Sequence, residues 1–127
     1  MDKRPRSITI ISWIFIVFGS IALLASLLEI FNSATAQRGA YLKGHWMIPV
    51  VRLLALVAGV FMLYGFNWAR WLLLVWIAYH VILSAFHSLS ELVVHSLLFA
   101  VVAYVLFRSK ASTYFRGARA EPAQRQE

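Results

Sequence analysis

Residues 71–107 form an apolar stretch that constrains the fold more than any other part of the chain. The stretch reads WLLLVWIAYHVILSAFHSLSELVVHSLLFAVVAYVLF, contains no Gly or Pro, and carries one formally charged residue, Glu91. As one helix it would be about 55 Å long, whereas the hydrocarbon core of a bilayer is about 30 Å thick. The stretch therefore predicts two membrane-crossing helices of opposite direction, with a turn among residues 87–90.

Composition supports a membrane protein of one domain. The chain of 127 residues is 61% hydrophobic and 13% charged, whereas soluble domains are roughly 45–50% apolar and about 25% charged. The apolar residues are collected into long runs, which is typical of membrane spans. The chain has no cysteine, which excludes disulfides, thiolate metal sites and Cys nucleophiles.

Local signals divide the chain into four predicted spans. The first, 8–30, exceeds the roughly 7–15 apolar residues of a signal peptide. The second, 47–66, has Pro49 in its first turn, where a missing N–H is tolerated. Gly65 and Asn67 predict a helix end and the next N-cap, and Ser88 with Glu91 predicts a capping box. The third and fourth spans are therefore 68–86 and 89–107.

These boundaries predict an all-α fold, an integral membrane four-helix bundle with antiparallel up-down spans. Residues 1–116 are the predicted membrane domain, in which residues 32–46 form a loop, with a short surface helix as the alternative. From residue 117 the composition predicts a flexible cytoplasmic tail, 117–127.

The distribution of bases predicts the orientation. Nine of the 12 Lys and Arg lie before the first span, at the second turn or after the fourth span. The positive-inside rule then places both termini of a multi-pass membrane protein in the cytoplasm. Because the net charge of +7 is carried beside apolar runs, anionic lipid headgroups at the basic termini are expected partners, and nucleic acid is not.

Aromatic and basic residues near the predicted span ends are typical of membrane-interface anchors. The predicted anchors are Trp68, Arg70, Trp71, Tyr114, Phe115 and Arg116.

Glu29 and Arg52 form the first candidate site. Glu29 lies just before one predicted span ends and Arg52 just after the next begins, so the two side chains have similar depths. Since ionised groups inside a bilayer are costly and usually paired, we predict an ion pair, either as a structural clasp or as a proton or anion site.

The second candidate site collects three imidazoles and one carboxylate around the predicted turn: His80, His87, Glu91 and His95. Such groups can hold a transition metal or a proton, and two opposed imidazoles can ligate haem. The competing interpretation is structural, because Glu91 has a capping role and hydroxyls such as that of Ser84 can satisfy the imidazoles. No cofactor is predicted.

Three segments resemble a group of small bacterial inner-membrane proteins with four helices and no assigned activity. They are RPRSITIISWIFIVFGSIALL at the start, GFNWARWLL in the centre and VLFRSKASTYFRG towards the end. The resemblance implies four spans in a bacterial inner membrane and supplies no catalytic residues.

No phosphate-binding loop, nucleophile elbow or metalloprotease helix occurs in the sequence. We therefore expect a non-enzymatic accessory or interaction protein of the membrane. An oligomeric small transporter or ion channel with an outward polar site is the alternative, and a metal- or haem-binding membrane protein is the second alternative. A stripe of small residues in the first span, which includes Ser12 and Gly19, predicts close helix packing inside the bundle and also suggests a homodimer or contact with another membrane protein.

Overall fold

The computed structural model describes the backbone of residues 3–124 and, within that range, the side chains other than those of Ala36 and residues 118–124. The described residues form six α-helices and no strand, as the sequence predicts for an all-α chain. The helices are α1 (Arg6–Asn32), α2 (Thr35–His45), α3 (Met47–Leu63), α4 (Asn67–Ala85), α5 (Leu89–Phe107) and α6 (Ser109–Gln124).

Three of these helices, α1, α4 and α5, are long and apolar enough to cross a membrane. Helix α3 has 17 residues and meets the same test only together with α2, from which it is bent by 58°. The structure thus contains three candidate spans, or four when the bent pair counts as one. Of the two expectations for residues 32–46, the short helix is the one formed.

The connection from α3 to α4 is a glycine-dependent helix end. Gly65 has φ of 80°, which L side chains rarely adopt. Its N–H donates to the Met62 carbonyl at 3.1 Å, and the Phe66 N–H donates to the Phe61 carbonyl at 3.2 Å. These are the two bonds of a Schellman motif, so the predicted role of Gly65 is confirmed.

Asn67 is not the N-cap that the sequence predicts. The N-cap is Phe66, and Asn67 is the first helical residue. The side-chain oxygen of Asn67 is buried without a hydrogen-bond partner. The physical reason is that the chain reverses direction at Gly65. One extended residue, Phe66, is then enough before α4 begins.

The turn from α4 to α5 lies at the predicted position. Ser88 is extended, and its hydroxyl accepts a hydrogen bond from the Glu91 N–H at 3.2 Å, which confirms it as the N-cap. The reciprocal half of the capping box is replaced, because the Ser88 N–H donates to the Ser84 carbonyl at 3.2 Å. The Glu91 carboxylate therefore does not have the predicted capping role.

Helix α3 packs between α1 and α4, and α4 packs between α3 and α5, whereas α5 meets α1 over a much smaller surface. The α1–α3 contact depends on small residues. A Cβ at Gly59 would lie 3.0 Å from the Ser12 carbonyl oxygen, and one at Gly19 would lie 3.2 Å from the Leu56 nitrogen. The small-residue stripe of α1 is thus used inside the chain.

The helix bundle has two ends, which we name by the segments that lie there. At the end that we call the terminal end, Arg4 Nη1 and the Tyr114 hydroxyl both donate to the Leu63 carbonyl at 3.0 Å. Arg108 Nη2 also donates to the Ser7 hydroxyl there, at 3.2 Å. The opposite end, which holds α2 and the Ser88 turn, is the loop end.

Helix α6 departs from the predicted flexible tail. It continues to Gln124, so residues 117–124 are helical, and residues 125–127 lie outside the described part of the chain. Its side chains Ala111 and Phe115 are buried in the common core. These two residues are four apart and so share one helix face, which attaches α6 to the terminal end.

Candidate functional site

A cavity of about 380 Å³ lies in the loop-end half, between α1, α3, α4 and α5. Three polar side chains line it, and each comes from a different helix: Arg52 from α3, His80 from α4 and His95 from α5. The remaining walls are apolar or aromatic, with Phe15 and Leu98 among them. An apolar cavity with a few convergent polar groups is the usual form of a small-molecule site.

Arg52 is hydrogen-bonded across the α1–α3 contact. Its Nη1 donates to the Ala22 carbonyl at 2.8 Å and to the Ser26 hydroxyl. Neither bond involves Glu29, whose side chain is exposed. Arg52 bonds to residues that lie three and seven positions before Glu29 on α1, so the structure does not bring the two predicted partners together.

The imidazoles of His80 and His95 are each anchored through Nδ1. His80 Nδ1 lies 2.9 Å from the Trp76 carbonyl oxygen, and His95 Nδ1 lies 2.8 Å from that of Glu91. A carbonyl only accepts, so we assign the hydrogen to Nδ1 in both rings, which leaves Nε2 as the nitrogen away from the helix backbone. The rings are stacked, with centroids 6.1 Å apart.

Ser84 connects the two histidines. Its hydroxyl donates to the His80 carbonyl at 2.7 Å and lies 2.8 Å from His95 Nδ1, from which it accepts. Since Ser84 is on α4 and His95 on α5, this bond ties the two helices together. The expected use of the Ser84 hydroxyl to satisfy an imidazole is confirmed.

His87 and Glu91 are not brought to the other two predicted ligands. Both are exposed near the turn, His87 Nδ1 lies 3.2 Å from the Leu83 carbonyl, and neither residue lines the cavity. Among the side chains that the structure describes, no group of three His, Asp or Glu residues is placed to hold a metal ion. The turn explains this, because it leaves residues 87 and 91 at its apex and 80 and 95 deeper in the helices.

Trp76 is a cavity residue that the sequence reasoning missed. Its Nε1 donates to the Val51 carbonyl at 2.7 Å, and its ring centroid lies 4.0 Å from that of His80. It also meets the edge of Phe15 at 5.7 Å. The signal was present, since residues four apart on a helix are neighbours and Trp76 precedes His80 by four.

The predicted interface anchors divide into two groups. Trp68 and Trp71 are 45% and 50% exposed, and Arg116 is exposed, as expected for anchors. Arg70 and Phe115 are instead 9% and 1% exposed, because α6 folds over the start of α4. The remaining anchor, Tyr114, is half-buried.

Arg70 sits in a closed cluster at the terminal end. Its guanidinium lies 4.6 Å from the Phe107 ring centroid and 5.4 Å from that of Phe115. Its Nη1 donates to the Leu106 carbonyl at 3.4 Å and the Ser112 hydroxyl at 3.3 Å, and its Nε is buried without a partner. This arginine holds α4, α5 and α6 together.

Comparison with known proteins adds no assignment: no protein-family model, no curated protein and no solved structure matches the chain significantly.

Proposed function

We propose that this is a small multi-pass protein of the inner membrane, with four helices crossing the bilayer and both termini in the cytoplasm. It acts by binding, as a non-enzymatic accessory or interaction protein. The observation that carries this proposal is the loop-end cavity, which joins apolar walls to one cation and two backbone-anchored imidazoles and lies among helices apolar enough to cross a membrane.

The outer surface of the helices supports the membrane location. Large apolar side chains on α1 and α5 are widely exposed, among them Phe18 at 69%, Leu97 at 63% and Tyr104 at 72%. Contiguous exposed apolar surface of this extent is unusual in soluble monomers. In a bilayer the same side chains contact lipid.

Charge supports the orientation. The terminal end carries the basic flank of α1, the bases that follow α5, and a cleft of about 280 Å³ lined by Lys3, Lys110 and Tyr114. Lysines at this end of the helices can bind the anionic headgroups of a cytoplasmic leaflet. The loop end carries fewer bases, Arg38, Lys43 and Arg52.

Single introduced cysteines can test the orientation without background labelling, because the native chain contains no cysteine. The exposed residues Gln37, at the loop end, and Ser109, at the terminal end, serve as a matched pair. We expect Gln37→Cys to react with a membrane-impermeant maleimide in intact spheroplasts, and Ser109→Cys to react only after permeabilisation. The reverse pattern would overturn the proposed topology.

An oligomeric transporter is the second candidate, because Arg52, His80 and His95 share one cavity. Proteoliposomes loaded with a pH-sensitive dye, together with anion-selective electrodes, separate the two functions. The accessory role predicts that the proton and anion flux into liposomes containing the protein equals the flux into empty liposomes. Flux that Arg52→Gln abolishes, and that the exposed control Lys43→Gln leaves intact, would establish transport instead.

A further inference from the structure

We propose that the loop-end cavity binds an amphiphile with one apolar chain and an oxyanion head, a carboxylate or a phosphate, and that Arg52 receives the head. This inference rests on the proposed binding function and names the class of ligand. Three observations carry it: the unmatched charge of Arg52, the free nitrogens of the two histidines, and the apolar walls.

Arg52 lacks a counter-ion in the described part of the chain. A guanidinium remains ionised in proteins, and an ionised group among apolar helices is normally paired. The partners of Arg52 are neutral, the Ala22 carbonyl and the Ser26 hydroxyl, and both are reached through Nη1. No acidic side chain lines the cavity. An oxyanion at Nε and Nη2 would supply the missing charge in the two-bond geometry that arginine favours.

The histidines add further hydrogen-bonding groups to the same cavity. Because Nδ1 of each ring is held by a carbonyl of its own helix, the ring orientation is set before a ligand binds. Nε2 of His80 and His95 takes part in no hydrogen bond among the described residues. An imidazole accepts at Nε2 when neutral and donates there when protonated, so either ring can contact an acid or its anion.

The walls select an apolar chain over a hydrophilic anion. Beyond the three polar residues the lining is aliphatic or aromatic, and about 380 Å³ is near the lower end of the range of roughly 300–1,000 Å³ for ligand sites. That size favours one chain over two. The rim includes Phe18 of α1 and Leu98 of α5, which are 69% and 41% exposed, so the cavity is reached sideways between these helices.

The test is equilibrium binding of three radiolabelled probes to the purified full-length protein in a non-ionic detergent. Dodecanoate and dodecyl phosphate carry the two oxyanions, and dodecanol carries the same chain with a neutral head. We expect dodecanoate or dodecyl phosphate to bind about tenfold or more tightly than dodecanol, as charge-assisted hydrogen bonds imply. Whichever of these two probes binds more tightly indicates whether the oxyanion head belongs to a free fatty acid or to a lipid phosphate.

Two variants with matched controls locate the site. Arg52→Gln should weaken oxyanion binding about tenfold or more and leave dodecanol unchanged, whereas Lys43→Gln, which removes an exposed base, should alter neither. Leu98→Trp narrows the rim and should weaken all three probes, whereas Leu97→Trp, on an exposed neighbouring face outside the cavity, should not. Since Leu98 is partly exposed, its variant keeps the test decisive if Arg52→Gln fails to fold.

Equal affinity for dodecanol and both oxyanions would overturn the inference, as would oxyanion binding that survives Arg52→Gln or Leu98→Trp. The cysteine labelling at Gln37 and Ser109 is independent of these results. A failed binding test with the expected labelling removes the ligand assignment alone, and a reversed labelling pattern removes the proposed membrane topology.

Discussion

Arg70 at the terminal end and Arg52 at the loop end are the same residue type in opposite surroundings. Arg70 is 9% exposed and enclosed by two aromatic rings, a carbonyl and a hydroxyl. Arg52 is bonded to α1 on one side and faces a cavity on the other. One guanidinium is surrounded by its own chain, and the other still has room for a partner.

The difference arises from the segments that lie beside each arginine. Helix α6 folds back over Arg70 and supplies Phe115 and Ser112. Beside Arg52, the limited contact between α5 and α1 leaves the cavity open. An arginine near a helix end thus becomes structural or available for binding according to what the rest of the chain places over it.

The largest expected effect tests the close packing of the terminal-end half. In Gly59→Leu the first added carbon would lie 3.0 Å from the Ser12 carbonyl and from Ile16, so α1 and α3 must separate. Overpacking of this kind should lower the free energy of unfolding by about 3 kcal/mol, measured by dodecyl sulfate titration in dodecyl maltoside. The control Gly44→Leu has no neighbour within 4 Å, and an equal loss there would refute the packing argument.

The two arginines themselves should differ by a smaller amount. Arg70→Met loses two ring contacts and two hydrogen bonds, so we expect a loss of about 2 kcal/mol in the same titration. Arg52→Met also loses two hydrogen bonds but no ring contact, so we expect a smaller loss of about 1 kcal/mol. Equal losses would show that Arg52 is as structural as Arg70.

The smallest expected effect concerns the bond that closes the loop-end half between α4 and α5. Ser84→Ala removes an acceptor from His95 and a donor to the His80 carbonyl. Hydrogen bonds between membrane helices contribute about 0.6 kcal/mol on average, and we expect a loss of that size. Ser96→Ala, at an exposed position of α5, should be neutral. A loss well above 1 kcal/mol for Ser84→Ala would show that the loop end is as firmly held as the terminal end.

Much of the helix arrangement was predictable because it depends on local chemistry. Gly65 permits a left-handed residue and Ser88 offers a capping hydroxyl, so both turns lie where the sequence indicates. Helix α6 was not predicted: residues 109–116 were assigned only to the end of the membrane domain, and the polar composition from residue 117 resembles a tail. Its helical form is associated with burial of Ala111 and Phe115 against other helices, and such contacts are not visible in the segment alone.

The candidate site was predictable for the two facing histidines but not for the partner of Arg52. Counting residues from the turn placed His80 and His95 at similar depth, and their rings stack. It also placed Arg52 level with Glu29, whereas Arg52 bonds to Ala22 and Ser26. Which side chains meet depends on how the helices cross, and Ser26 rather than Glu29 bonds Arg52. The turn keeps His87 and Glu91 at its apex, apart from the cavity.

The bend between α2 and α3 has a consequence for the surrounding bilayer. With 17 residues, α3 is only about 25 Å long, which is shorter than a hydrocarbon core of about 30 Å. In the proposed membrane orientation this hydrophobic mismatch draws lipid headgroups and water inward at the start of α3. Arg52, five residues after Met47, then lies near the level of the thinned interface. An incoming amphiphile can therefore slide in laterally while its charged head remains hydrated.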